Sequence, residues 1–175
     1  MVAAVEDDVA VEVAMIGYDG TAGLPAFLGT AASPHRSFCQ VPVLALRLKT
    51  VTLRRSRLVT AHCTTCCLAT PTPCWLSSRK NIACNRLHSA EERTARWLAQ
   101  THDRVGSDSI QITQEFLAQM LGVRRATVSV SARILQRAGL IRYNRGCVTI
   151  LDRAGLRRAA CDSHLTIRRE FDKLR

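Results

Sequence analysis

The run Thr113–Ile150, TQEFLAQMLGVRRATVSVSARILQRAGLIRYNRGCVTI, decides the fold of the chain. Thr113 is the residue type that accepts from free N–H groups at a helix start, and Phe116, Leu117, Met120 and Leu121 follow at helical spacing. Gly122 then supplies a left-handed residue, which costs glycine little and ends the helix. A second helix over 124–139 is expected, with Val128, Ile134, Leu135 and Ala138 on its inward stripe and Arg124, Arg125, Thr127, Ser129, Arg133 and Arg137 pointing elsewhere. Gly139 stops it. Two short strands, 140–143 and 147–151, turn through Asn144, Arg145 and Gly146. The order is a helix-turn-helix (113–139) followed by a β-hairpin wing (140–151).

Between Glu115 and Asp152 there is no acidic residue, although six arginines occur there. A unit cleared of negative charge suits a polyanionic partner, and the turn, basic helix and wing stand in the order a duplex-DNA reader needs. Thr113–Ala118, Leu121–Val128 and Leu135–Ile141 together resemble the DNA-binding domain of the cyclic-AMP receptor protein and fumarate-nitrate regulator (Crp/Fnr) family of bacterial transcription regulators. The resemblance runs well from about Asn81 to the C-terminus and more weakly over 11–50.

The whole chain has 175 residues, is 47% hydrophobic and only 5% aromatic, and carries a formal charge of +11. That charge is uneven: residues 1–19 hold five acids and no base, while residues 20–90 hold nine bases and no acid. No run is long and apolar enough to cross a bilayer, and Glu6, Asp7 and Asp8 stand where a secretion signal would be basic. A cytoplasmic protein with reduced thiols is expected.

The alternation over 9–16 reads as a strand, with further strands expected at 37–41 and 44–48. The fold class is α+β, and the resemblance implies a partial β-roll (1–50) followed by the winged helix-turn-helix domain (81–175). The resemblance makes the N-terminal part the end of a cyclic-nucleotide-binding roll whose beginning is missing. Arg36 and Ser37 fall near the family's phosphate-binding pair, yet Leu24 stands where a ribose-binding glutamate belongs. Cyclic-nucleotide binding is not expected, and no cofactor is assigned.

Residues 51–80 break the pattern. The family has a long dimer-forming helix here, whereas Pro71, Pro73 and a threonine-rich, cysteine-bearing composition read as an irregular linker, one that a shifted reading frame or an otherwise degenerated insert would produce. The familiar pattern resumes at Asn81. His62, Cys63, Cys66, Cys67, Cys74 and Cys84 raise a metal or thiol switch as an alternative, but their spacing lacks a second clean pair, so no metal ligand is assigned. Cys39, Cys147 and Cys161 read as small packed residues.

Ser89-Ala90-Glu91-Glu92 is a capping box opening a helix to about His102, with Ala95, Leu98, Thr101 and Trp97 facing the motif. His88 and His102 read as surface or helix-end residues. A strand at 110–112 would complete the wing's sheet, and Asp152 would cap one C-terminal helix from Arg153 to about Lys173, with Gly155 a weak point. No catalytic constellation is present and an enzyme is not expected.

The sequence thus points to a sequence-specific regulator that places the 124–139 helix in the major groove of double-stranded DNA. Arg125 is the candidate for guanine, Arg124 and Arg133 for phosphate, Thr127 and Ser129 for either; Thr113, Gln114 and the wing's Arg145 would meet backbone. Set against the family's motif, Ala126 replaces a cytosine-reading glutamate and Val130 a guanine-reading arginine. The resemblance also implies RNA polymerase and a second copy of the chain as partners, the latter opposed by the broken 51–80 stretch. A non-functional remnant of such a regulator is the competing reading.

Overall fold

A computed structural model describes residues 2–5, 9–17, 21–23, 36–42, 44–52 and 71–172. Leu24 and the thiols Cys63, Cys66 and Cys67 lie outside these residues, as does His62. Within them the elements are β1 (Val2–Val5), β2 (Val9–Glu12), α1 (Pro71–Leu87), α2 (Ala90–Val105), β3 (Ser109–Gln111), α3 (Gln114–Leu121), α4 (Arg125–Arg137), β4 (Ile141–Asn144), β5 (Cys147–Ile150), α5 (Arg153–Ala159) and α6 (Ser163–Asp172). The α+β class holds.

The centre is α2. Its capping box forms as the sequence predicts: the Glu92 amide donates to the Ser89 hydroxyl at 3.2 Å, and the Ser89 amide donates to the Glu92 carboxylate at 2.8 Å. The first-turn bond also holds the Glu92 carboxyl below its ordinary range. Every residue from Arg93 to His102 is buried, because α2 is packed on several sides rather than one. Trp97 and Leu98 meet Ile110, Leu117, Val128, Leu135, Ile141, Val148 and Leu156 in one apolar core. Burial of such side chains, at about 1.5–3 kcal/mol each, is what holds the short helices in place.

His102 stands at the helix end, one of the two places expected for it, but that enclosure takes it off the surface. It is buried in the last turn of α2, 3.1 Å from a carboxylate oxygen of Asp108, which Arg153 also grips through two 2.7 Å bonds. Beside it, Asp103 accepts from Arg157 at 2.6 Å and lies 3.5 Å from His164. These polar contacts fasten α5 and α6 to α2.

The wing forms a three-stranded antiparallel sheet ordered β3-β5-β4, with Ile110 opposite Val148 and Tyr143 opposite Val148 on the other side. The extra strand expected near 110–112 is thus present. The single C-terminal helix is not: Ala160 is extended (φ −75°, ψ 150°) and divides it into α5 and α6. Asp162 restarts the helix, its carbonyl accepting from the Thr166 amide. Gly155 is explained by space, since a Cβ there would lie 2.3 Å from the Asp152 carboxylate that caps α5 and 2.6 Å from Leu140.

Two N-terminal expectations need correction. The strand over 9–16 ends at Glu12 and pairs antiparallel with β1, while 37–41 and 44–48 form no strand: Phe38 and Val41 pack individually, on Phe116 and on the core, and Leu44 and Leu46 are fully exposed, so no apolar face holds 44–48 in a sheet. Residues 13–15 instead run onto α2. The Trp97 indole donates to the buried Glu12 carboxylate at 3.0 Å, Gln40 donates to the same oxygen at 2.5 Å, and Met15 joins the core. The second correction concerns 51–80, which is not irregular throughout. Helix α1 begins at Pro71 and runs through Cys74 to Leu87. Prolines are compatible with this position, because the first-turn amides of a helix have no internal acceptor to lose.

Candidate nucleic-acid interface

The helix-turn-helix is built by local bonds that its residue types dictate. Thr113 caps α3 by accepting from the Phe116 amide at 3.1 Å. At the other end Gly122 adopts φ +64°, and the Val123 amide returns to the Ala118 carbonyl at 3.0 Å, closing the helix as a left-handed terminal residue allows. A side chain at Gly122 would meet both the strained φ and Val11 at 3.3 Å.

A contact invisible in the sequence also supports this turn. The guanidinium of Arg93, buried on α2, donates to the Leu121 carbonyl. It satisfies one of the acceptors that a helix end leaves open. Burial makes that charge costly and lowers the arginine's pKa, desolvation being the main cause.

Arg124 stands at the N-cap of α4 with extended backbone and no side-chain cap bond; its carbonyl accepts from Thr127 and Val128 at 2.9 and 3.3 Å. The buried stripe of α4 is Val128, Ser131, Ala132 and Leu135. This corrects the sequence reading: Ile134 is 39% exposed and Ala138 is exposed too, while Ser131 turns inward. A polar residue can occupy that stripe because its hydroxyl donates to the Thr127 carbonyl one turn back, at 3.1 Å.

Of the expected contact residues, Arg124, Arg125, Ala126, Val130 and Arg133 are exposed, and Thr127 and Ser129 are half-buried beside them. Gln114 is reached by Ser129, whose hydroxyl donates to its Oε1 at 2.6 Å. The open face of α4 therefore mixes guanidinium groups with an apolar line, Ala126, Val130 and Ile134, at four-residue spacing.

The wing is pinned to this surface from two sides. The Tyr143 amide donates to the Gln136 side chain of α4 at 2.8 Å, and the Tyr143 hydroxyl donates to the Ile112 carbonyl at 2.7 Å. Burial raises that phenol to about 12, so it stays protonated and keeps donating. At the tip, Arg145 and Gly146 both take positive φ, 45° and 78°, as a tight hairpin needs. The Gly146 carbonyl accepts from the Ile112 amide at 2.7 Å, one residue before Thr113. Exposed Arg145 is thus brought to the same edge as Thr113 and Gln114. Gln136 and Tyr143, which set this arrangement, were not singled out by the sequence.

The thiols are distributed differently from expectation. Cys161 is packed as expected, but against a second thiol: it lies 3.5 Å, sulfur to sulfur, from Cys84 of α1, and both are buried. A hydrogen bond from Cys161 is the main reason the Cys84 thiol sits far below its ordinary value, at about 5, while the same contact pushes Cys161 up. Cys39 is exposed and Cys147 is half-buried against Ser109.

The family of Crp-like helix-turn-helix domains matches residues 92–159. Among solved structures, a transcriptional regulator of the CRP/FNR family from Thermus thermophilus is 20% identical, covers 91% of this chain and 81% of its own, and has a TM-score of 0.62. FixK2 from Bradyrhizobium japonicum is 15% identical, with coverage of 65% and 60% and a TM-score of 0.58. A second Thermus thermophilus transcriptional regulator, of the CRP family, is 23% identical, with coverage of 59% and 56% and a TM-score of 0.50. At these identities the likeness is one of fold. The chain spans 56–60% of the length of the latter two. No curated protein sequence matches significantly.

Proposed function

The chain carries a Crp-like helix-turn-helix domain at residues 92–159 and shares the fold of Crp/Fnr regulators, and on that premise we propose that it regulates transcription by sequence-specific binding of duplex DNA. Helix α4 enters the major groove N-terminus first. The single observation that carries this reading is its outward face: exposed arginines and small apolar side chains on one helix, with the wing tip fastened beside the start of α3.

The roles follow from chemistry. Arg125 donates its planar fork to guanine O6 and N7, while Arg124 and Arg133 neutralise phosphate. Ala126 and Val130 present methyl groups where polar readers would otherwise stand, so they favour thymine methyls over a guanine or cytosine contact. Thr127 and Ser129 contribute hydroxyls at the margin of the face. With Gln114 Oε1 engaged by Ser129, its amide N–H₂ remains to donate to a phosphate, next to Thr113 and the open start of α3. Arg145 reaches backbone from the wing.

A second copy and RNA polymerase complete the reading as partners. Exposed Ile82 and Leu87 on α1 give a second copy apolar surface to cover. Selection of random duplexes by the full chain, followed by sequencing, tests the proposal. Enrichment of sites with a guanine flanked by thymines supports it; a recovered pool no different from the starting pool would leave only nonspecific charge attraction.

A further inference from the structure

Three chemically matched side chains converge away from the DNA-binding face. Cys84 lies near the end of α1, His88 follows four residues later, and Cys161 comes from the break between α5 and α6. One donor atom from each lies within 4.8 Å of the other two. Cys84 and Cys161 are buried, and their sulfurs are 3.5 Å apart. The His88 amide donates to the Cys84 carbonyl at 3.1 Å, so helical spacing is kept and both side chains share one face. His88 Nδ1 is buried without a hydrogen-bond partner. The Ser163 hydroxyl lies 3.0 Å from the Cys84 sulfur.

We propose that Cys84, His88 and Cys161 form a binding site for a borderline-soft divalent metal ion, zinc above all. Two thiolates and an imidazole are a zinc donor set, and around a tetrahedral zinc such donors lie roughly 3.5–4 Å apart. The sulfur pair already has that separation, and the imidazole donor lies within 4.8 Å of both sulfurs. Ser163 or a water takes the fourth position. Binding releases the thiol protons to solvent as the sulfurs become ligands. A disulfide would use the sulfur pair alone and leave the imidazole without a role; the convergence of all three groups favours the ion. Its effect would be mechanical. The ion would tie α1, the helix leading into the DNA-binding unit, to the junction of α5 and α6.

Cobalt(II) titration of the full chain, reduced and stripped with chelator under anaerobic conditions, tests the site. The expected result is uptake of one equivalent with a thiolate-to-cobalt charge-transfer band that zinc abolishes. Cys161→Ser should remove that band, and His88→Gln should weaken affinity by about tenfold or more, with circular dichroism reporting the fold of each. Should Cys161→Ser fail to fold, His88→Gln carries the comparison, since its side chain is only half-buried. Absence of uptake would overturn the proposal. So would uptake indifferent to both substitutions, which would put the metal on other thiols, and so would a Cys84–Cys161 disulfide forming in a chain whose reduced state takes no metal.

Discussion

The hydroxyl of Ser129 donates to Oε1 of Gln114 at 2.6 Å, and so joins the outer face of α4 to the first turn of α3. Two candidate DNA contacts thus hold each other in place before any DNA arrives. Neither is idle on the free protein.

Ser129→Ala and Gln114→Ala should each cost about 1 kcal/mol in urea unfolding, the net worth of an ordinary hydrogen bond. Ser129→Ala also removes the 3.2 Å contact of its hydroxyl with the Arg125 carbonyl, so the double variant should cost little more than Ser129→Ala alone, the Ser129–Gln114 bond being deleted only once. Fully additive losses would mean that the two side chains act independently.

Arg93 makes a larger prediction. Arg93→Ala removes the donor to the Leu121 carbonyl and strips packed methylenes from α2, so a loss of about 2–3 kcal/mol is expected. Lysine should not rescue it, since a point charge lacks the fork and reach of a guanidinium. Denaturant melts of the three proteins decide the matter; a lysine variant as stable as wild type would show that charge alone is needed.

Local signals were legible in the sequence wherever a residue acts on its own neighbours. The Ser89–Glu92 box, the Thr113 cap, the Gly122 stop and the Arg145-Gly146 turn all form because their partners lie within four residues. Composition misled at α1, where prolines that break a helix interior sit in the first turn instead. The stripe of α4 was misread by apolarity, since Ser131 is buried with its hydroxyl satisfied by backbone while Ile134 faces out. Cys84 and Cys161 meet from 77 residues apart, and Arg93 meets Leu121 from 28; such pairings follow from the packing of whole helices, which no local pattern encodes.

Stability should fall in mild acid because of His164. Its side chain is 1% exposed, and burial, helped by Arg157, Arg168 and Arg104, lowers its pKa to about 4 despite Asp103 nearby. The unfolded chain, with a histidine of ordinary pKa near 6.5, therefore binds more protons than the native one between the two values. Stability from this residue is complete above pH ~6.5 and declines as pH falls toward ~4, by about 3 kcal/mol in all. Chemical unfolding at a series of pH values should show that slope, and His164→Leu should flatten it; an unchanged slope in the variant would assign the acid sensitivity to other groups.

The central claim is that the outward face of α4 reads base sequence, and fluorescence anisotropy on a selected duplex and a random one, each at two salt concentrations, tests it most directly. Arg125→Ala should cost about 1–3 kcal/mol on the selected duplex and far less on random DNA. Arg124→Ala should weaken both alike and reduce the salt dependence by about one phosphate contact. Equal losses on both duplexes from both substitutions would contradict the account, leaving α4 a basic surface that holds DNA without reading it.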